Sequence, residues 1–367
     1  MKRRAAGGAT ASARRGFLGR VLGLATATAA GGAWLSIAPP AAAATRARGR
    51  ARIDVREHGA RGDAVSDDTA AFQAAIDALP EDGGTVHVPS GAYLIDPTRS
   101  VRLRSRMHLA MADGARLMAK ANAAPRAYVL FAEQVQDVEI SGGRIVGDRD
   151  THLGETGEWG HGIRIRGCGG VTVRDIHISR CWGDGISAGG IMTKGQRSRP
   201  GRDYVFENVT CTRNRRQGLT IGSSRRVRIR GCEFSNTAGT PPAAGIDIEP
   251  DTDIARDILI EDCLVFGNRG PGIQLYKRAA EVRIRRCTIE RNRGEGILAV
   301  TGVDCVFSDN IIRNNHRKGV LLRGGSRNIR LAGNRFEGND QGRGGKQQVQ
   351  VADDSVAVGI DADNVFE

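Results

Sequence analysis

A short phrase built around glycine and one aliphatic residue recurs along the middle of this 367-residue chain, about once every 22 to 33 residues. The copies read GHGIRIRG, GDGISAGG, RQGLTIGS, AAGIDIEP, GPGIQLYK, GEGILAVT and RKGVLLRG, and they begin at Gly160, Gly183, Arg216, Ala243, Gly270, Gly294 and Arg317. A repeat of this length is typical of a solenoid, in which each repeat packs only against its neighbours. We therefore expect the function to lie along one face of a rod.

Alternation within each copy predicts a strand with one buried face, because an aliphatic residue follows the second glycine and side chains alternate around it. The residues predicted to stack inward are Ile163, Ile186, Leu219, Ile246, Ile273, Ile297 and Val320. A second alternating run precedes most copies, as in VRIRGCEF from Val227 and VRIRRCTI from Val282. These runs predict an all-β, parallel solenoid.

Asparagine and cysteine recur in two further columns when the repeats are aligned, as stacked tight turns require. The first column holds Asn208, Cys232, Cys263, Cys287, Asn310 and Asn334, and the second holds Asn268, Asn292, Asn315 and Asn339. The chain has seven cysteines and no CxxC pair, which argues against disulfides and metal sites. A free cysteine behaves as a small apolar side chain, so we expect buried thiols.

The first 44 residues have the pattern of an export signal. Basic residues from Lys2 to Arg4 precede the twin-arginine phrase SARRGFLG at Ser12, an apolar stretch, and four alanines that end at Ala44. A membrane anchor is the alternative, but the apolar stretch is short and is interrupted by glycine and proline. We expect residues 1–44 to be a twin-arginine signal, residues 45–367 to be one mature domain without a membrane span, and the protein to be periplasmic or extracellular.

Charge points to an anionic partner. Six of the 54 basic residues and none of the 41 acidic residues lie in the signal, so the mature chain carries a net charge of +7. Such a balance suits an acidic polysaccharide, and nucleic acid is the competing partner. Aromatic residues make up only 4% of the chain, which leaves little for base stacking, and export separates the protein from the genome. We therefore expect a polysaccharide and no nucleic acid, bound by a monomer.

The stretch IDVREHGARGDAVSDDTAAFQAAIDALPEDGGTVHVPSGAYLI, at residues 53–95, predicts a strand, a helix capped by Asp67 or Asp68, and another strand. It resembles the N-terminal segment of the pectate lyase-like superfamily, which includes polygalacturonase-like hydrolases, uronan lyases and epimerases, and phage tailspikes. The resemblance extends to about Gly338 and implies a right-handed parallel β-helix. Residues 53–95 would be the N-terminal cap with its short helix, 160–338 the regular turns, and 339–367 the C-terminal cap.

No catalytic set of that superfamily can be transferred to this chain. The polygalacturonase-like hydrolases should show an Asn-Thr-Asp phrase and an Asp-Asp pair before Gly-His-Gly. Here GHG occurs at Gly160, upstream of the other repeats, and the Asn-Thr-Asp phrase is absent. The Asp-Pro-His phrase of alginate epimerase modules is also missing. One scaffold hosts many reactions, so the site must come from the residues themselves.

Breaks in the repeat indicate where the site lies. Inserts at residues 147–160, 187–203 and 235–244 flank the first four copies, and long loops on a rigid scaffold commonly form binding walls. The outward residues on these copies give the candidates. The catalytic candidates are Asp184, Asp247, Glu249 and His161, and the substrate-binding candidates are Trp159, Arg164, Arg166, Trp182, Arg215, Arg216, Gln217, Gln274, Tyr276 and Lys277.

Three functions fit these residues. A lyase or C5-epimerase must neutralise the uronate carboxylate and remove the C5 proton, with His161 or Arg216 as base and arginines as neutralising groups. Calcium held by Asp184, Asp247 and Glu249 could share that work, since it prefers oxygen ligands. A glycoside hydrolase would instead use Asp247 and Glu249 as its carboxylate pair. A non-catalytic glycan-binding rod is the third function, and nothing indicates a nucleotide cofactor.

Overall fold

The computed structural model describes residues 48–192, 198–251, 253–341 and 347–367. Its strands form three sheets in which every neighbouring pair is parallel, and successive strands of the chain pass from one sheet to the next. Sheet A contains, within the described residues, twelve strands: Ala51–Asp54, Gly84–Val88, Met107–Met111, Gln136–Ser141, Gly169–Arg174, Gly201–Glu207, Ser224–Arg230, Ala255–Glu261, Ala279–Arg285, Val303–Ser308, Arg327–Ala332 and Val356–Ile360.

The other two sheets follow the same order along the chain. The strands of sheet B are Asp63–Asp67, Gly91–Ile95, Ala115–Ala119, Arg144–Val146, His177–Ser179, Thr210–Thr212, Glu233–Ser235, Leu264–Phe266, Thr288–Glu290, Ile311–Arg313, Arg335–Glu337 and Val365–Phe366. The strands of sheet C are Val101–Arg102, Arg126–Glu133, Trp159–Arg166, Ile186–Gly189, Leu219–Ile221, Ile246–Ile248, Ile273–Tyr276, Ile297–Val300, Val320–Arg323 and Val349–Val351. The predicted all-β parallel solenoid is confirmed.

The core fills the space between the three sheets. All seven residues predicted to stack inward are completely buried, and strand pairing places them in one register, from Ile163 opposite Ile186 to Ile297 opposite Val320. Burying a side chain of this size contributes roughly 1.5–3 kcal/mol, so each turn of the solenoid is held by the turn above and the turn below.

Single residues in the left-handed conformation turn the chain between sheets A and B. This column includes Asp175, Asn208, Gly231, Asp262, Arg286, Asp309 and Gly333. Asn208, with φ of 52°, therefore lies opposite Gly231 and is exposed, whereas Val209 lies opposite Cys232 and fills the buried position. The prediction that Asn208 shares the cysteine column is wrong by one residue, because Asn tolerates the left-handed turn that the corner needs.

Asparagine side chains form ladders inside the solenoid. The Nδ2 group of Asn268 donates to Oδ1 of Asn292. The Nδ2 group of Asn292 donates in turn to Oδ1 of Asn315, and that of Asn315 donates to Oδ1 of Asn339. Distances along this ladder are 2.8–2.9 Å, and each amide also bonds buried backbone. The predicted column of four asparagines is confirmed. The seven cysteines are free and buried, as predicted.

A short helix covers the first turns of the solenoid. Helix α1, Thr69–Asp77, follows a 3₁₀ turn at Val55–His58 and buries Phe72 and Ile76 against the core. Asp67 accepts the backbone N–H of Thr69 at 3.0 Å, while Asp68 accepts N–H groups of the loop before it. Of the two predicted caps, Asp67 therefore satisfies the start of the helix.

Strands Val349–Val351 and Val356–Ile360 lie in the segment that was predicted to be the C-terminal cap. No helix in the described part of the chain is long and apolar enough to cross a membrane. The predicted signal, residues 1–44, lies outside the described residues.

Candidate functional site

A cleft of about 260 Å³ opens on the outer face of sheet C, where the first repeats stack. Its lining includes Arg164, Arg166, Ser187, Thr220, Ser223, Glu249 and Asp251, and we call it the sheet C cleft. Strand pairing puts Arg164, Ser187, Thr220 and Asp247 opposite one another in successive strands, as the aligned repeats predict. The walls come from three strands of sheet C and from the segment that follows Ile248.

Arg164 is a nearly buried cation in the cleft without an acidic partner. Its Nη1 donates to the hydroxyl of Ser187, and its buried Nε has no hydrogen-bond partner. No carboxylate in the described part of the chain lies within ion-pair distance of this guanidinium, and burial lowers its pKa. An arginine stays charged in a protein, so Arg164 gives the cleft a positive charge that no ion pair neutralises among the described residues.

Arg166, two residues further along the same strand, is partly neutralised. Its Nη1 lies 3.0 Å from the Glu133 carboxylate, and its Nε is buried without a hydrogen-bond partner. Arg164 and Arg166 thus give the cleft two guanidinium groups from one strand, which suits recognition of a carboxylate.

Arg216 lies between carboxylates and holds them in place. Its guanidinium is 3.3 Å from Glu158, 3.3 Å from Asp184 and 3.4 Å from Glu249. These acids raise its pKa. A guanidinium committed to three acids has little charge left for a substrate, so the contacts of Arg216 favour a positioning role over the predicted roles of base or neutralising group.

His161 and Asp184, two of the catalytic candidates, are both buried and contact each other. The Asp184 backbone N–H donates to Nδ1 of His161 at 3.0 Å, and a carboxylate oxygen of Asp184 lies 3.5 Å from the same nitrogen. Burial, with Arg164 and Arg216 nearby, lowers the pKa of His161 well below its usual value. Burial also raises the pKa of Asp184, against the opposing effects of Arg216 and the Thr220 hydroxyl.

Asp247 is completely buried and is enclosed by two amides. Gln217 donates to one of its oxygens at 2.7 Å and Gln274 to the other at 3.1 Å. Burial, then the charge of Glu249, raise the pKa of Asp247 well above its usual range. Asp247 is not among the cleft-lining residues, whereas Glu249 is. The predicted Asp247–Glu249 pair therefore does not present two carboxylates to one substrate, and the two glutamines are occupied by Asp247.

The carboxylates predicted to hold calcium do not converge on a common point. Arg216 takes the position between Asp184 and Glu249, while Asp247 faces two amide donors. No group of three or more Asp, Glu, His or Cys side chains in the described ranges could hold a metal ion. This set of residues does not fit calcium, because the positively charged guanidinium of Arg216 lies between the carboxylates and repels a cation there.

The aromatic candidates differ in whether other side chains already cover the rings that could stack on a sugar. Trp182 lies between the His152 ring, 3.9 Å away, and the Arg215 guanidinium, 3.8 Å away, so both faces of its indole are covered. The exposed Trp159 carries Arg126 over its ring at 4.4 Å. Further along sheet C, Lys277 lies 4.7 Å from the Tyr276 ring. Sugar stacking by Trp159 and Tyr276 stays a prediction. Trp182 and Arg215 contact other residues of the protein instead.

Two residues that the sequence analysis did not single out belong to the site. Asp251 lines the cleft, and Tyr128 stacks on His161 with ring centroids 5.5 Å apart. The acidic run IDIEPDTD, residues 246–253, was a signal for Asp251. Nothing in the repeat marks Tyr128, because it precedes the first copy.

Comparisons with known proteins agree on the scaffold. Residues 161–336 match the family model described as right handed beta helix region, and residues 52–143 match the model described as rhamnogalacturonase A/epimerase, pectate lyase-like. The match confirms the predicted right-handed winding. The resemblance that residues 53–95 suggested is borne out over a longer segment.

Two sequence relatives and one solved structure illustrate the range of similarity. The chain is 33% identical to the uncharacterized protein YclG of Bacillus subtilis over 45% of this chain and 32% of the relative. It is 28% identical to mannuronan C5-epimerase AlgE1 of Azotobacter vinelandii over 60% of this chain and 18% of that protein. The chain thus spans less than half the length of these relatives. The A-module of mannuronan C-5 epimerase AlgE4 from Azotobacter vinelandii superposes with a TM-score of 0.60 at 18% identity, covering 86% of this chain and 97% of the module.

Proposed function

Because the chain belongs to the pectate lyase-like superfamily of right-handed parallel β-helices, we propose that it modifies an anionic, uronic-acid polysaccharide bound in the sheet C cleft. The reaction begins with removal of the C5 proton of a bound uronate. A C5-epimerase returns a proton to the opposite face of the ring, and a lyase expels the substituent at C4. Both reactions share the first step, for which the cleft supplies the groups.

Arg164 is the observation that carries the proposal. It is a nearly buried guanidinium that lines the cleft, and no acid among the described residues lies within ion-pair distance of it. A uronate carboxylate fills that position, and its neutralisation makes the C5 proton more acidic. Charge developing on the carboxylate in the transition state strengthens the same contact, which is how such a donor accelerates the step.

Glu249 is the base in this proposal and Asp251 the second proton-transfer group. Both line the cleft, and Arg216 fixes Glu249 by an ion pair of 3.4 Å. Glu249 takes the C5 proton and becomes the neutral acid, while the electron pair passes into the carboxylate held by Arg164. Asp251 enters the step as the neutral acid: in an epimerase the electron pair returns to C5 and takes the Asp251 proton there, and in a lyase it forms the C4–C5 double bond while the C4–O bond breaks and the leaving oxygen takes that proton. Exchange with water then removes the proton from Glu249 and restores the one on Asp251. His161 is not the base, because its Nδ1 already accepts the N–H of Asp184.

Relatives named as mannuronan C5-epimerases support a polysaccharide substrate for this proposal. The Asp-Pro-His phrase expected of such modules is absent from this chain. The base is therefore assigned from the cleft and not transferred from those relatives.

A glycoside hydrolase is the second candidate, because Glu249 and Asp251 both line the cleft and lie two residues apart. A hydrolase needs two carboxylates on opposite sides of the scissile bond. It does not need a cation at the position of a uronate carboxylate, which is why the unpaired Arg164 favours proton abstraction.

The decisive experiment follows the C5 hydrogen directly. Purified mature protein is incubated in D₂O with polymannuronate, polygalacturonate and a neutral glucan, and C5 deuteration is read by NMR. Ultraviolet absorbance of unsaturated uronate and the number of reducing ends are measured on the same samples. Deuterium at C5 without chain cleavage identifies an epimerase, and unsaturated products identify a lyase.

Reducing ends that form without C5 exchange or unsaturation would identify the protein as a glycoside hydrolase instead. Binding without any chemical change would leave the glycan-binding rod. Glu249→Gln tests the base, since it keeps the shape of the side chain and removes its basicity. Glu207→Gln on sheet A is the matched control, because Glu207 is not among the cleft-lining residues.

We also propose that residues 1–44 direct export by the twin-arginine route to the periplasm or the cell exterior. The phrase SARRGFLG supports this proposal. A fusion of the segment to a reporter that must fold before export should reach the periplasm, and replacement of Arg14 and Arg15 by lysine should stop it. A reporter exported equally well after that replacement would rule out the route.

A further inference from the structure

The exposed arginines of sheet A are mostly neutralised by acids on neighbouring strands. Arg226 lies 2.6 Å from Asp203, and Arg228 lies 3.0 Å from Asp257. Pairs of this kind recur along the sheet, with Arg285 and Glu261 at 2.7 Å as another example. Most of the charge on this face is therefore internally balanced.

Three arginines near the N-terminal ends of neighbouring central strands of sheet A depart from this pattern. Arg202 lies opposite Arg225, and Arg225 lies opposite Arg256, so like charges stand directly above one another on three strands. Among the described residues, no acid lies within ion-pair distance of Arg202 or Arg256, and both are exposed. Of the acids in the described ranges, Arg225 pairs with Asp253 alone, at 3.7 Å, and its buried Nε has no hydrogen-bond partner. We call these three residues the arginine ladder.

A left-handed residue follows each member of the ladder and explains its exposure. Asp203, Arg226 and Asp257 have φ values of 58°, 57° and 53°. The next residues along, Tyr204, Val227 and Ile258, are completely buried. In an uninterrupted strand a residue two positions earlier would share their inward face. The left-handed residue breaks that alternation, so the arginine side chains can lie outside the core.

The ladder is costly without a ligand. Strands in a sheet are about 4.8 Å apart, and like charges directly opposite each other on neighbouring strands are destabilising. A polymer with one carboxylate on each sugar residue presents negative charge at a comparable interval. Such a chain would neutralise successive arginines without any change in the backbone.

We propose that the arginine ladder is a second binding site, outside the sheet C cleft, for a polyuronate chain. Ser223 lines the cleft and lies two residues before Arg225, so the ladder borders the cleft across the turn between sheets C and A. A chain that fills the cleft and continues past Ser223 reaches the ladder. The site takes the same class of polymer as the proposed function but contributes binding and no chemistry.

The test compares two triple variants that remove equal charge from sheet A. The first is Arg202→Gln with Arg225→Gln and Arg256→Gln. The control is Arg226→Gln with Arg230→Gln and Arg283→Gln, whose arginines are exposed and lie within 4 Å of acids. Affinity for long polyuronate and for short oligouronates is measured by calorimetry at low and moderate salt, after thermal unfolding shows that both variants are folded.

We expect the ladder variant to bind long polyuronate at least about tenfold more weakly, which corresponds to roughly 1.4 kcal/mol, with a smaller salt dependence. Short oligomers that fill only the cleft should bind as before. Equal weakening in the control, or unchanged binding by the ladder variant, would overturn the proposal. Stronger retention of double-stranded DNA than of polyuronate by the same arginines would overturn it as well.

This result is separable from the proposed reaction. Arg164→Ala should strongly reduce turnover while long-chain binding through the arginine ladder persists. If no C5 exchange, elimination or cleavage is found with any uronan, the proposed reaction fails for those polymers, and the comparison of the two triple variants still decides the ladder.

Discussion

The backbone N–H of Asp184 donates a hydrogen bond to Nδ1 of His161 across 3.0 Å. An N–H donor needs a lone pair as its acceptor, so this contact assigns the histidine proton to Nε2 and makes the ring neutral. The 3.5 Å approach of the Asp184 carboxylate to the same nitrogen is then not an ion pair. His161 is therefore a fixed, buried part of sheet C and is not among the residues that line the cleft.

A neutral His161 can be observed directly. Nitrogen-15 NMR of histidine-labelled protein should show one ring with the Nε2–H tautomer that stays neutral well below its ordinary pKa of 6.5, because burial, Arg164 and Arg216 all lower its pKa. The spectrum of His161→Gln identifies the signal. A ring that titrates near the ordinary value, or that carries its proton on Nδ1, would contradict the assigned hydrogen bond.

Arg164 should control turnover more than folding. Replacing it by alanine removes the cation opposite the substrate carboxylate, and we expect kcat/KM to fall by about 10²–10³-fold, the usual cost of losing one transition-state donor. Lysine keeps the charge without the guanidinium geometry and should restore part of the activity. Arg283→Ala, an exposed position on sheet A, is the control. Equal losses of kcat/KM in Arg164→Ala and Arg283→Ala would show that Arg164 has no specific part in the proposed step.

His108 should make the solenoid less stable as the pH falls. Its Nε2 lies 2.7 Å from the Ser141 hydroxyl and 3.6 Å from Glu139, and burial, assisted by Arg48 and Arg174, lowers its pKa from 6.5 to about 4. Between those values the unfolded chain binds a proton that the folded chain does not, so stability present above pH 6.5 is lost as pH falls toward 4. The full effect is about 3 kcal/mol.

Urea unfolding at several pH values measures this dependence. His108→Gln should remove most of the slope between pH 6.5 and about 4, whereas His316→Gln, at an exposed histidine, should leave it in place. A slope that survives in His108→Gln would assign the acid sensitivity to other groups.

Asn292 should be among the most sensitive positions of the interior. It donates to the Val265 carbonyl and to Asn315, and its oxygen accepts both the backbone N–H and the side-chain amide of Asn268. Asn292→Ala leaves several buried polar groups unpaired at about 1–3 kcal/mol each, so we expect a loss of at least about 3 kcal/mol in unfolding free energy. Calorimetry against Thr288→Ala, on the same turn, provides the check. Similar losses of unfolding free energy in the two variants would show that the asparagine ladder makes no special contribution to stability.

Periodicity predicted the fold well because the core obeys it. Ile163 and Ile186 are buried in the register that aligned repeats require. Asn208 was placed one residue out, since a single left-handed residue at a corner shifts the count without changing the sequence pattern. Alternation places a residue on a face of the sheet, but it carries no information on how neighbouring side chains cover that face.

The candidate site depends on how single side chains cover one another, and alternation does not predict this. Asp247 and Glu249 share a face by parity, yet the long amides of Gln217 and Gln274 enclose the first and leave the second to line the cleft. Trp182 was a candidate for sugar stacking, and the partners that cover its two faces, His152 and Arg215, come from distant parts of the sequence. Such coverage depends on contacts that no repeat encodes.

The amide ladder from Asn268 to Asn339 has a direction. Every Nδ2 group in it donates toward the C-terminal turn, and the last amide donates to Gln348, whose own Nε2 donates to the carbonyl of Glu367. Side-chain dipoles aligned head to tail polarise one another. This column of amides is therefore polar along the axis of the solenoid, with its negative end toward the N-terminal turns, although no ionised group takes part.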